Sequence, residues 1–193
     1  MTKILIESGN ILTFQGDALI CFCDSDITYK RNNPILQTFA ENTKSNASYK
    51  KVINQSYLQN KECEDNLLKE LSAIGYCEIG NAVITKSYIL NIKHFIFVPY
   101  VDHDNSENRL NYILFHQALR SAFTLANLYD IKRLAIPIPK SKFQKKDFMD
   151  KIFAEILSTN KGKGLDEKEL TDIIIAITKE FVNQSLQEVF IYR

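Results

Sequence analysis

A chain of 193 residues with 45% hydrophobic content is long enough for one packed domain, or one domain carrying an insertion. Its 24 Lys and Arg stand against 23 Asp and Glu, and the formal net charge of +1 excludes a global pull toward nucleic acid or an anionic membrane, so any recognition of phosphate must be local. No segment approaches the roughly 18–20 consecutive apolar residues of a membrane span, and the opening run from Met1 to Ser8 is too short for a signal peptide, so the expected location is the cytoplasm.

Residues 2–7 alternate weakly and predict a strand, ended by the turn residues Ser8-Gly9-Asn10, with a short element at Ile11–Phe14. Asp17–Cys23 is a nearly continuous apolar run of strand length, the pattern of a strand buried on both faces of a parallel sheet. Asp24-Ser25-Asp26 stops it. Residues 28–61 are polar and rich in Asn, Lys and Ser, with Pro34 admitting a helix through Ile35, Leu36, Phe39 and Ala40. Glu64–Leu71 is a short helical candidate, Gly75 and Gly80 bracket a turn, Ala82–Thr85 reads as a strand, and His94–Val98 is a second buried strand closed by Pro99.

Between Asn108 and Leu128, the apolar residues Leu110, Ile113, Leu114, Ala118, Leu119, Ala122, Leu125 and Ala126 recur at the spacing of one helix face. Arg133–Pro139 predicts a strand whose prolines mark its end. Helices follow at Phe148–Leu157 and Asp166–Val182, separated by the basic loop Lys161-Gly162-Lys163-Gly164, and Gln187–Tyr192 closes the chain as a strand. Strands alternating with helices, without repeats or a linker, predict an α/β layered fold with a mixed sheet in one domain spanning residues 1–193.

The four cysteines, Cys21, Cys23, Cys63 and Cys77, are too irregularly spaced for zinc, and Cys21-Phe22-Cys23 fits small strand residues better. No metal and no cofactor is expected. His94 and His116 fall inside a strand and a helix, where packing is the simpler role. His103, between Asp102 and Asp104 after a strand, has the residue types of a proton relay but reads more simply as part of a solvated loop. Lys140, Lys142, Lys145 and Lys146 lack the interleaved aromatics of a nucleic-acid surface beyond Phe143 and Phe148.

The order of these signals resembles the macrodomain family of ADP-ribose-binding modules. Gly9-Asn10-Ile11-Leu12 resembles the family's Gly-Asp-Ile turn, and Asp17-Ala18-Leu19-Ile20 its buried Asp-Ala-Ile-Val strand. Gly80-Asn-Ala-Val-Ile-Thr85, the strand before Pro99, the long helix and the strand end Ile136-Pro137 continue the likeness across nearly the whole chain. The resemblance implies a three-layer α/β/α sandwich around a central mixed sheet. It implies binding of ADP-ribose, or of an ADP-ribosylated protein, as the partner, with neither membrane nor nucleic acid expected.

The resemblance also marks the ligand positions, several of which depart from the family's pattern. An aspartate in the first turn accepts a hydrogen bond from the adenine amino group; Asn10 matches it, keeping an acceptor oxygen without the charge, or else simply tolerating a left-handed turn beside Gly9. Cys21-Phe22-Cys23-Asp24 stands where the family has Asn-Ala-Ala-Asn, and the following loop, Tyr29–Pro34, has no glycine to let backbone amides approach a diphosphate. The second phosphate loop should follow Pro137, where Pro139–Phe143 also lacks glycine. A better match comes later, at Gly162-Lys163-Gly164-Leu165-Asp166, which would make residues 140–158 a helical insertion; an ordinary connector between helices is the alternative.

The candidate ligand-binding residues are therefore Gly9, Asn10, Ile11, Asp24, Pro137, Lys161, Gly162, Lys163 and Gly164, with Asp24 a weak candidate for a catalytic base. The leading expectation is a non-catalytic binder of ADP-ribose or a related nucleotide diphosphate. Two others stay open: a degenerate macrodomain with a closed pocket that acts as a protein-interaction module, and an ADP-ribosyl hydrolase with a non-standard site.

Overall fold

The computed structural model describes residues 2–9, 11–28, 54–89, 91–100, 108–139, 167–181 and 185–192. Its strands are β1 (Lys3–Glu7), β2 (Gly16–Cys23), β3 (Val83–Ile89), β4 (Ile92–Pro99), β5 (Arg133–Pro137) and β6 (Glu188–Tyr192), and its described α-helices are α1 (Asn54–Ile74), α2 (Asn108–Leu128) and α3 (Glu167–Glu180). A single 3-10 turn, Ile11–Thr13, lies between β1 and β2. The predicted Ile35–Ala40 and Phe148–Leu157 helices lie outside the described residues.

The strands form one six-stranded sheet in the order β1-β6-β5-β2-β4-β3. All neighbours run parallel except β3, which returns antiparallel beside β4. Because side chains alternate along a strand, β2 sends Ala18, Ile20 and Phe22 to one face and Leu19, Cys21 and Cys23 to the other, and both sets are buried. The first face packs against α2 and α3 through Ile96, Val98, Leu134, Ile136, Val189 and Ile191. The second packs against Leu67 and Leu71 of α1 with Phe95, Phe97, Ala135 and Phe190. This is the expected three-layer sandwich, and it explains why the β2 and β4 sequences read as unbroken apolar runs.

Helix α2 approaches the sheet with Phe115, Ala118, Leu119, Ala122, Phe123 and Ala126, each at most 1% exposed. It ends in a Schellman motif in which Ile131 N–H donates to Ala126 O (2.8 Å) and Asp130 N–H to Asn127 O (3.0 Å), with Asp130 itself at φ 51°. Helix α1 is longer than the Glu64–Leu71 segment predicted from sequence, because its amino-terminal half is polar and shows no apolar stripe. Gly75, at φ 74°, stops it and donates its N–H to Leu71 O at 2.7 Å. Strand β3 runs four residues beyond the predicted Thr85, through a register shift between Lys86 and Ile89 with Tyr88 at φ 61°.

Candidate functional site

In a sheet of parallel strands, ligands gather outside the carboxyl ends, at the point where successive connections leave in opposite directions. Here the chain leaves β2 toward β3 and β4 on one side, and leaves β5 toward β6 on the other, so the reversal lies between neighbours β2 and β5. The ladder between them spans only Ala18–Leu134 and Leu19–Ala135, whereas the β2–β4 ladder continues to Cys23–Pro99. The switch point is bordered by Asp24, which follows β2, and by Pro137, which ends β5; both are half-buried.

Glu7, Tyr192 and Pro137 stand side by side in register at the same edge. Ile138 N–H closes that end by donating to Tyr192 O at 2.9 Å. Burial and the neighbouring Glu7 carboxylate raise the Tyr192 phenol above its ordinary range, against the opposing effect of Arg133, so it stays protonated at neutral pH. Gly9, two residues beyond β1, is exposed and adopts φ 134°. A side chain there would meet nothing within 4 Å, so conformation rather than space favours glycine. Ile11 begins the return crossing toward β2, partly buried on the α1 side of the sheet.

The topology thus brings Gly9, Asp24 and Pro137 to one edge of the sheet, with Ile11 leading away from it. Asn10, Lys161, Gly162, Lys163 and Gly164 lie outside the described residues, as do Tyr29–Pro34, Asp102–Asp104 and the Lys140–Phe143 stretch. Tyr192, read from the sequence only as a strand residue, and Tyr100, which heads the Tyr100–Asp104 segment, stand at the same edge. Their positions, at or one residue past the end of a parallel strand, were the available signal.

The segment after β2 is fastened on both sides. Tyr100 N–H donates to Cys23 O and Cys77 N–H to Ser25 O, each at 2.9 Å, while Asp26 bridges Tyr76. Ile27 is fully buried beside α1, and Asp26 Oδ1 accepts from Thr28 N–H at 3.1 Å and Thr28 Oγ1 at 2.6 Å. Above this bracket the rings of Phe22, Tyr100 and Phe115 meet with centroids 5.2–6.1 Å apart. Residues 23–28 therefore serve as a structural clasp.

All four cysteines are free thiols. Burial pushes Cys23 up to about 12, with smaller contributions from Cys77 and Asp24, so it stays protonated and unreactive at neutral pH. Among the described residues no cluster of three His, Cys, Asp or Glu side chains could hold a metal. His94 Nδ1 lies 3.2 Å from Thr85 O and its ring packs edge-on to Tyr129, while His116 stacks on Tyr112. No helix of the described residues is long and apolar enough to cross a membrane.

The family model of the macro domain matches residues 35–141, more than half of the chain. The chain belongs to the macrodomain family. Solved structures agree with the fold of this macrodomain over almost its full length. The macro domain of ganglioside induced differentiation associated protein 2 is 14% identical, with 98% of this chain and 76% of that one covered and a TM-score of 0.63. The Mycobacterium tuberculosis DarG macrodomain is also 14% identical, with 99% and 98% covered and a TM-score of 0.60. A Trypanosoma brucei macrodomain solved with ADP-ribose is 12% identical, with 98% and 63% covered and a TM-score of 0.62. Likenesses at such identities establish the fold and nothing finer. Among curated proteins no match is found.

Proposed function

We propose that this macrodomain binds ADP-ribose or a related nucleotide diphosphate in the crevice outside the carboxyl ends of β2 and β5, as a cytoplasmic binding module that does not hydrolyse it. The observation that carries the reading is the topological switch point between β2 and β5, bordered by Asp24 and Pro137. The Trypanosoma brucei macrodomains solved with ADP and with ADP-ribose support a ligand of this class.

In this reading Gly9, Asn10 and Ile11 meet the adenine, Asp24 the distal ribose, and Pro137 borders the diphosphate. Lys161, Gly162, Lys163 and Gly164 supply charge and amides ahead of α3. Glu167 and Glu169 already occupy the first turn of that helix, so positive charge for a phosphate has to come from the two lysines rather than from the helix dipole alone. Calorimetric titration with ADP-ribose, ADP and AMP tests the proposal. Saturable heat with ADP-ribose supports it, and no heat at millimolar ADP-ribose overturns it.

A second reading, in which the crevice is closed and the surface recognises protein, rests on the lack of glycine in Tyr29–Pro34 and Pro139–Phe143 and on the helical insertion expected at residues 140–158. An open, solvent-filled crevice in an experimental structure counts against that alternative. Turnover of an ADP-ribosylated protein that disappears in Asp24→Ala, with folding unchanged, would instead make the protein a hydrolase; no turnover in the wild type keeps the binding assignment.

A further inference from the structure

The two edges of the sheet are treated differently. At the β3 edge the backbone N–H of Lys86 is capped by Glu70 Oε2 of α1 at 3.2 Å, and the same oxygen accepts from the Tyr88 hydroxyl at 3.0 Å. The register shift and the left-handed Tyr88 then interrupt the strand. Capping and a bulge are devices that stop an edge from pairing. Edge strand β1 shows neither among the described residues, and β6 is its one described sheet neighbour.

Strand β1 reads Lys3-Ile4-Leu5-Ile6-Glu7. Lys3 N–H donates to Gln187 O of the segment entering β6 at 2.8 Å, so the backbone groups of Lys3, Leu5 and Glu7 address β6, and those of Ile4 and Ile6 point out of the sheet. Leu5 packs on the α1 side, and Ile4 on the side of α2 and α3. Ile6, on the same side as Ile4, is 51% exposed. An outward ladder edge beside an exposed isoleucine is a template for another strand.

We infer that the partner is a second copy of this chain, pairing β1 antiparallel to β1 about a two-fold axis through Leu5. In that register Lys3 faces Glu7 of the other copy at both ends, Leu5 faces Leu5, and Ile4 faces Ile6. The outward N–H and C=O groups of Ile4 and Ile6 become the narrow hydrogen-bonded pairs, and Leu5 and the two ion pairs take the wide positions, as an antiparallel ladder requires. A parallel or one-residue-shifted pairing loses this match: shifting by one residue brings apolar side chains against charged ones and moves the outward groups out of phase. The interface is isologous and closes as a dimer. Because the paired strands run in opposite directions, the two sheets merge into one with their candidate ligand crevices on opposite edges, so each copy keeps its own site.

Five residues on each side make a small contact beside the roughly 1,200–2,000 Å² buried by stable complexes, so the dimer is weak and forms with rising concentration. Sedimentation velocity of the intact protein from micromolar to millimolar concentration should show it. Lys3 and Glu7 are exposed, and single reversals, Lys3→Glu or Glu7→Lys, are expected to shift self-association to at least ten-fold higher concentration, an order-of-magnitude expectation for two opposed like-charge pairs. The double reversal Lys3→Glu/Glu7→Lys restores self-pairing, and mixing the two single variants yields a heterodimer. Ile6→Pro removes an outward N–H that β6 does not use and leaves a monomer, its fold checked by circular dichroism. A wild type that stays monomeric at millimolar concentration overturns the inference. So does a dimer that ignores the charge reversals and Ile6→Pro, and neither result depends on ADP-ribose binding.

Discussion

The two ends of the parallel strands are closed by different physics. At the amino ends, charged side chains and main-chain groups consume one another. Asp17 accepts from Lys93 Nζ at 2.7 Å and from the backbone N–H groups of Lys132 and Arg133 at 2.9 and 3.0 Å. Arg133 in turn donates to Glu188 (2.9 Å) and to Gln15 O (2.7 Å) while lying over the rings of Phe14 and Phe190. Gly16 fits there because a Cβ would lie 2.2 Å from the Phe14 ring. At the carboxyl ends, closure relies on backbone bonds, from Tyr100 N–H to Cys23 O and from Ile138 N–H to Tyr192 O, and on packed rings. The lesson is one of tolerance. Asp17 holds a lysine and two main-chain N–H groups at once, so a substitution there leaves several donors without their acceptor, whereas closure of the carboxyl ends by backbone bonds and rings depends less on which polar side chains follow the strands.

Three substitutions test this contrast, in descending order of expected effect. Phe22→Ala should cost about 3–5 kcal/mol by removing a buried ring from the carboxyl-end cluster. Denaturant unfolding reads it, and a loss below about 1 kcal/mol would mean that the rings do not close that end.

Asp17→Asn comes next, at about 1–3 kcal/mol, because an amide cannot replace a carboxylate that accepts from a lysine and two main-chain N–H groups. Its pH dependence has a definite sign. Partial burial pushes the Asp17 carboxyl up, but the hydrogen bonds from Lys93, Lys132 and Arg133 together outweigh burial and hold it below the ordinary carboxylate range. The stabilisation is therefore fully present above the unfolded value of about 3.9 and is lost as pH falls below it, through the folded value. Unfolding wild type and variant between about pH 7 and pH 2.5 should show a constant difference near neutrality that narrows in acid. A difference that widens as pH falls would contradict this account.

Gly9→Ala should have the smallest effect on stability, about 1 kcal/mol, since only its positive φ is strained and nothing crowds the site. By the proposed function it should nonetheless weaken ADP-ribose binding measurably in the same calorimetric titration. Unchanged affinity would remove Gly9 from the site while leaving the contrast between the two ends intact.

Legibility in the sequence followed the range of the forces involved. Strands β2 and β4 and helix α2 could be read directly, because burial on two faces or on one stripe imprints a local pattern. Helix α1 was caught only in part, since Asn54–Asn60, where Tyr57 and Leu58 stand among polar residues, carries no such imprint. The far half of β3 was missed because Lys86 and Ser87 interrupt the apolar run, although Ser87 is buried and donates to Ile92 O. The site was less legible than the fold. Gly9, Asp24 and Pro137 were named through the family's motifs, yet that the segment after β2 is clasped to Tyr76 and Cys77 depends on a pairing about fifty residues distant in the chain.

By itself the sequence determined the alternation of strands and helices, the two-sided burial of the central strands and the family likeness, all of which rest on neighbours within a few residues. Only the tertiary structure decided which strands lie side by side, and with them the switch point between β2 and β5, the role of Asp17 in closing the amino ends, and the contrast between a β3 edge capped by Glu70 and a β1 edge without such a cap among the described residues. Each of these joins groups far apart in the chain, such as Asp17 with Lys132 and Arg133 or Glu70 with Lys86, and local pattern carries no information about which distant partner a hydrogen-bonding group will meet.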